Sequence, residues 1–420
     1  MGPAAVAVLV ILCAAGAEAR VPAGHLATRR RDSVPAGVGA CALAVAPFGY
    51  PCEEHTMTTV DGYILSLQRI PRGRRPSGGG GAGQPVLLQH GVLTDGMTWL
   101  LSSPEESLAY ILADSGFDVW VANNRGTRWS SRHVSLDSSS RRYWDWSWDD
   151  LVVNDMPSMV DYICSHTAQK PHFLGHSMGT LVALAAFSEG RTVDKLKSAA
   201  LLTPVAYLSH MTTPLGILLA KAFVGEAGGG EPLQGTVPPS WNQLLRPPHR
   251  LHRYLYFLLV LVCVHASRGF RAERPWRVRT AGKNYCLNSS AVDVFLQYEP
   301  QPTSTKTMVH LAQTFRDGVL SKYDYVWPGV NVEKYGQPDP PAYNMSNIPP
   351  GFPLFLSYGG RDELADPVDV GRLLGDLRGH DPGRLTVQYL EQFAHADFVI
   401  GTCAKDYVYK DVVSFFNRFN

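Results

Sequence analysis

The pentapeptide Gly175-His176-Ser177-Met178-Gly179 is where residue types and spacing imply chemistry most directly. Residues 171–174 before it are an apolar run that reads as the end of a strand, and residues 180–187 after it read as a helix that stops near Gly190. A serine between two glycines in a strand–turn–helix context is a nucleophile elbow. The turn is too sharp for side chains two residues either side of the serine, so glycines sit there. The Oγ then stands clear at a helix N-terminus, whose dipole favours the anion that forms on acyl attack.

A serine hydroxyl is a poor nucleophile until a base takes its proton, and the base needs an acid to fix its tautomer. Asp362, in Gly359-Gly360-Arg361-Asp362, lies just past a strand expected at 353–358. His395, in Phe393-Ala394-His395-Ala396-Asp397-Phe398, lies just past one expected at 385–390. Both would stand on loops at the carboxyl ends of parallel strands, the edge that also carries Ser177. Asp366 and Asp369 compete with Asp362 for the acid, each deeper in the helical segment that follows. The chain has 14 histidines, and position after the last strand is what singles out His395. The oxyanion needs two backbone N–H donors, Met178 and one from the loop after an early strand. His90-Gly91-Val92 supplies the second, with Val92 preferred over Leu93 and His90 read as shaping the loop. There is no H-E-x-x-H and no C-x-x-C pair, so neither a metal nor a cofactor is expected.

These residues need elements to position them. Residues 58–70 read as a hairpin turning at Asp61-Gly62. Strands are expected at 86–88, 117–122 and 199–202, with helices at 107–113 and 152–163 between them and a closing helix at 407–416. That alternation predicts an α/β protein with a mostly parallel sheet and helices on both faces. The three tryptophans in 143–150 read as core packing. Residues 72–84, with glycines at 78–81, form a surface loop without the flanks a phosphate loop requires.

The rhythm is lost over 205–343, a break of about 150 residues between strands, too long for a single structureless loop. A cap over Ser177 is expected there. Its apolar run 255–262 is too short to span a bilayer, and is either a buried helix or a surface presenting Leu258 and Leu259 to acyl chains. The divisions are therefore a signal at 1–19, an irregular lead-in at 20–45, a core at 46–204 and 344–420, and the insertion at 205–343.

With 38 basic against 37 acidic residues, the net charge of +1 excludes a nucleic-acid-binding excess. Residues 1–19 combine a short apolar stretch with Ala17-Glu18-Ala19, a secretory signal and its cleavage site, though the n-region lacks Lys or Arg. A secreted or lumenal chain, extracellular or in a vacuole or lysosome, follows, with no transmembrane span once mature. Asn288 and Asn344 head glycosylation sequons. Cleavage removes Cys13 and leaves Cys41, Cys52, Cys164, Cys263, Cys286 and Cys403. Their pairing is not readable, but Cys41 and Cys52 are the first choice as the closest pair.

The chain resembles the acid lipase family, the group of gastric and lysosomal acid lipases, and most of all its plant triacylglycerol lipase members. The resemblance runs from about Gly49 to Phe416. It rests on Gly49-Tyr50-Pro51-Cys52-Glu53-Glu54-His55, Asp61-Gly62-Tyr63-Ile64-Leu65, Leu88-Gln89-His90-Gly91, Ala122-Asn123-Asn124-Arg125-Gly126, Gly175-His176-Ser177, Gly359-Gly360-Arg361-Asp362 with Leu364-Ala365-Asp366, and His395-Ala396-Asp397-Phe398. It implies an α/β-hydrolase core with a cap-and-lid insertion, Ser177, Asp362 and His395 as the triad, and hydrolysis of neutral lipid esters at a lipid–water interface, with peripheral lipid contact through the cap. Met178 stands where the family usually has Gln or Leu, a change that leaves the backbone N–H in place. Cys263 lacks the closely spaced partner of the gastric type, so no cap disulfide is carried over. The competing functions are a carboxylesterase for small soluble esters and a hydrolase-fold binding protein without activity. The second usually lacks a triad residue, and this chain has all three.

Overall fold

The computed structural model describes residues 38–74, 83–213 and 282–420. The signal at 1–19, the glycines at 78–81, Cys263 and the apolar run 255–262 with Leu258 and Leu259 lie outside the described residues.

The core is a nine-stranded sheet: β1 (Glu53–Thr58), β2 (Tyr63–Ile70), β3 (Gln84–Gln89), β4 (Phe117–Ala122), β5 (Arg132–His133), β6 (His172–His176), β7 (Ala199–Leu202), β8 (Leu354–Gly359) and β9 (Leu385–Leu390). The spatial order is β1-β2-β4-β3-β6-β7-β8-β9, with β5 paired to β2. From β4 to β9 every pairing is parallel, while β1, β2 and β5 make an antiparallel edge. The β1–β2 hairpin turns where expected, with Gly62 at φ 95°.

Strand periodicity explains why both faces are covered. Leu87, Trp120, Phe173, Leu201 and Leu356 point to one apolar layer. Val86, Leu88, Val121, Leu174, Leu202 and Phe355, their neighbours one residue before or after, point to the other. The first layer is closed by α2 (Met156–Thr167), α3 (Met178–Ser188) and α7 (Pro367–Asp376). The second is closed by α1 (Leu108–Asp114) and α8 (Lys410–Arg418). Every residue of α3 is buried, which suits its nearly unbroken apolar sequence. Each fully buried leucine in these layers contributes roughly 1.5–3 kcal/mol.

After β3 the chain crosses to β4 on one side; after β6 it moves to β7 on the other. The carboxyl ends of β3 and β6 are neighbours whose continuations diverge, and a crevice opens at such a switch point.

The stretch expected to be irregular ends in a helical turn, Cys41–Val45, whose Ala44 and Val45 are buried. The closing helix is preceded by a wider turn, Lys405–Tyr409. Trp146 and Trp148 are core, and His310 stacks on Trp148 with centroids 4.0 Å apart. Between β7 and β8 the described residues include three helices, α4 (Ser289–Tyr298), α5 (Thr305–Asp317) and α6 (Pro328–Tyr335), joined by irregular stretches. Asn288 caps α4 by accepting from the Ala291 N–H, and Ser304 caps α5 by accepting from Thr307. Cys41 pairs with Cys52, as expected from their proximity, and Cys286 pairs with Cys403; Cys164 is a free thiol.

Candidate active site

Ser177 stands between β6 and α3 with φ 54° and ψ −122°, a left-handed backbone that costs a non-glycine residue about 1–3 kcal/mol. Its surroundings over-determine that geometry. The Ser177 N–H donates to the Leu202 carbonyl (3.2 Å), and its own carbonyl accepts from the Thr180 N–H (2.8 Å). The flanking glycines are sterically required, since a methyl group on Gly175 would lie 2.9 Å from the Gly179 backbone and one on Gly179 would lie 2.6 Å from the Gln89 carbonyl. Met178 is the first residue of α3, so its N–H has no carbonyl one turn back to bond.

The loop after β3 packs directly against the serine: a methyl on Gly91 would come within 3.0 Å of Ser177 Cβ and 3.5 Å of its Oγ. His90 fixes this loop. The Asn124 N–H donates to its Nε2 (3.0 Å), so Nδ1 carries the proton and donates to the Gly91 carbonyl (2.8 Å). Burial holds the ring neutral, pushing its pKa down. Val92 follows, and Leu93 then turns the chain at φ 61°.

His395 is 7 % exposed and Asp362 2 %. The Nδ1–H of His395 donates to Asp362 Oδ2 at 2.8 Å. Asp362 Oδ1 meanwhile accepts from the N–H groups of Leu364 and Ala365, both at 2.9 Å. The Nε2 of His395 is buried and has no hydrogen-bond partner among the described residues. His176, next to the serine, ties the two halves together by donating from Nε2 to the His395 carbonyl (3.1 Å), with the rings 4.8 Å apart. Burial and the neighbouring His395 ring push the His176 pKa well down, so it is neutral.

The rival acids have other partners. Asp366 caps α7, accepting from the Val368 N–H, and Asp369 grips His210 through its backbone N–H and Nδ1. Asp397, quoted in the motif but given no role there, is fully buried and accepts from the N–H groups of Ala394, Tyr285 and Cys286. It braces the loop that presents His395, and its place two residues after that histidine was the available signal. The acid loop is also where residues on both sides of 214–281 meet: Thr212 and Thr213 donate to the Glu363 carbonyl, and Gly282 bridges Asp362. Asn288 and Asn344 are exposed, each using its carbonyl oxygen as a helix cap. No group of metal-ligating side chains occurs among the described residues. No helix among them is long and apolar enough to cross a membrane.

The partial alpha/beta-hydrolase lipase region matches residues 42–103, and the alpha/beta hydrolase fold matches residues 84–225. Triacylglycerol lipase 2 of Arabidopsis thaliana is 50% identical over 403 residues, spanning 96% of this chain and 93% of its own. Gastric triacylglycerol lipase of Homo sapiens is 34% identical, over 87% of this chain and 88% of its own. Among solved structures, a monoglyceride lipase from Saccharomyces cerevisiae superposes with a TM-score of 0.55 at 13% identity, covering 88% of this chain and 96% of that one, a likeness of fold. With the sheet, the elbow and these relatives together, the chain belongs to the acid lipase family of α/β-hydrolases and is a carboxylic-ester hydrolase of the lipase type.

Proposed function

We propose that Ser177, His395 and Asp362 form a catalytic triad that hydrolyses neutral lipid esters of the triacylglycerol kind through an acyl-enzyme. Ser177 Oγ attacks the ester carbonyl while His395 Nε2 takes its proton, and the oxyanion rests on the N–H groups of Met178 and Val92. His395 then returns the proton to the departing alcohol. Water, activated by the same nitrogen, releases the fatty acid. The observation that carries this reading is the His395 ring, with Nδ1–H held by buried Asp362 and Nε2 left free.

The substrate class is supported by the relatives, which are named triacylglycerol lipases. Secretion is supported by the leader sequence and by two disulfides, which persist in oxidising compartments. The segment 205–343 is read as a cap, with contact to lipid made through it.

Ser177→Ala and His395→Ala should each abolish hydrolysis of emulsified triglyceride and of a short soluble ester while the protein stays folded. The double variant should be little worse than either single one, because the residues act as a unit. A folded Ser177→Ala protein that kept most of its activity would refute the mechanism. Turnover confined to the soluble ester would instead favour a small-ester carboxylesterase.

A further inference from the structure

The segment between α4 and α5 makes contacts that the triad does not require. Glu299 is 4 % exposed. Its Oε1 accepts from the backbone N–H of Asp95 (3.1 Å) and from the Thr98 hydroxyl (3.5 Å). Two residues on, the Gln301 N–H donates to the Leu93 carbonyl (2.8 Å), and Gln301 Oε1 accepts from the Arg128 N–H (3.1 Å). Leu93 and Asp95 are the far end of the loop that carries Val92, so two adjacent points of that loop are bonded to one segment more than 200 residues away.

We propose that Glu299 and Gln301 form a clip that positions the oxyanion loop, aiming the Val92 N–H at Ser177 before substrate arrives. They are positioning residues: they touch the loop and not the reacting atoms. The inference rests on Val92 being an oxyanion donor, as proposed above.

The charges around the clip tie it to a proton. Three groups that can carry charge meet there. Asp95 is fully buried, with Oδ1 accepting from the Met97 N–H (2.8 Å) and Oδ2 from Arg128 Nε (2.9 Å). Arg128 also donates to the Tyr298 carbonyl and lies over the Tyr298 ring. Glu299 is the third, and its Oε2 meets no donor among the described residues. Two buried carboxyls thus face one guanidinium, and like charges so close do not both ionise. A proton on Glu299 Oε2 removes the second negative charge and turns an orphaned acceptor into a donor toward Asp95.

Burial first, and then the Asp95 carboxylate, push the Glu299 pKa from its ordinary 4.5 up to about 9, against the pull of Arg128. The sign follows from linkage. The folded carboxyl keeps its proton where the unfolded chain has lost it, so the stability it gives is complete below about 4.5 and lost as pH rises through about 9. Loss of that proton sets two buried carboxylates against each other and loosens the clip.

The test compares E299Q, E299A and wild type on a short soluble ester across pH, with a melting curve for each protein at each pH. A triad needs His395 unprotonated, so the triad itself predicts no loss on the alkaline side. Wild-type kcat should fall at alkaline pH. E299Q, a neutral near-isostere, should match wild type within about threefold at neutral pH and lack the alkaline fall. E299A should lose at least about tenfold in kcat with KM nearly unchanged, since an oxyanion donor acts in the transition state. The proposal is overturned by an E299Q profile that superimposes on wild type, by E299Q slowed at every pH, or by a folded E299A with normal kcat. If E299A does not fold, the E299Q profile decides. S177A is run in parallel: activity there defeats the triad, while a dead S177A beside indifferent Glu299 variants defeats only the clip.

Discussion

Asp362→Asn is the sharpest single perturbation of the proposed triad. Asp362 Oδ1 is committed to two backbone N–H groups, those of Leu364 and Ala365. The carboxamide oxygen of asparagine will therefore stay with that pair, and its NH2 must occupy the position of Oδ2. That group faces His395 Nδ1 at 2.8 Å. Two donors cannot share one contact, so the imidazole moves its proton to Nε2 and Nδ1 becomes the acceptor. The nitrogen that should take the serine proton is then already protonated. Loss of the correct tautomer lowers kcat by about 10⁴ in a serine protease with the same constellation, and about 10³ to 10⁴ is expected here, or about 4–5.5 kcal/mol of barrier. The fold should tolerate the change, since shape and both N–H bonds are kept. The assay is initial rate on a soluble ester, with melting measured on the same preparation. Asp366→Asn is the control. It replaces one good helix cap by another and should leave the rate within about twofold. Normal turnover in Asp362→Asn, with loss in Asp366→Asn, would refute the reasoning and move the acid to Asp366.

Three further outcomes follow from the packing around the site. Asp397→Ala strands three N–H groups and should cost about 3 kcal/mol or more in urea unfolding, with a fall in kcat because the His395 loop loosens; unchanged stability would show that Asp397 does not brace the loop. Removing the Cys286–Cys403 bridge, which closes a loop of 117 residues, should lower stability by about 5 kcal/mol, against about 3 kcal/mol for Cys41–Cys52 with its separation of 11. The reverse order of melting temperatures for the two Cys→Ser pairs would contradict the loop-entropy argument. Burial pushes His172 from 6.5 down to about 4, so its contribution is complete above about 6.5 and lost as pH falls through about 4, amounting to about 3 kcal/mol. His172→Gln should flatten that part of the acid limb in pH-dependent unfolding, and a limb of unchanged slope would count against it.

What could be read from the sequence was whatever a short window records. The elbow announces itself because Gly175, Ser177 and Gly179 must be close in sequence to make one turn. Strands such as β4 and β9 were legible to the residue, being apolar runs with clear stops. Asp362 and His395 are candidates by position, since each follows a recognisable strand, and the fold brings the two into hydrogen-bond contact. The helices after Gly282 carry local signals, Asn288 as a cap and Pro328 with Gly336 around α6, but these mark ends of helices without saying where the helices pack. The contacts of greatest reach left no local trace. Nothing near Cys286 points to Cys403, and nothing near Asp95 points to Glu299, because such pairings are created by the closed sheet and not by neighbouring residues.

The meeting of Thr212, Thr213 and Gly282 on the Asp362–Glu363 pair has a consequence for how this enzyme can be altered. The described chain stops at Thr213 and resumes at Gly282 on the same spot of the core, so these two points are already held together by the acid loop. The number of residues joining the two points can then change at little cost, because the cost of closing a loop grows only slowly with its length. A linker of about five residues from Thr213 to Gly282 is enough to keep the backbone continuous, and a chain shortened in this way should retain the hydrogen bond of His395 to Asp362.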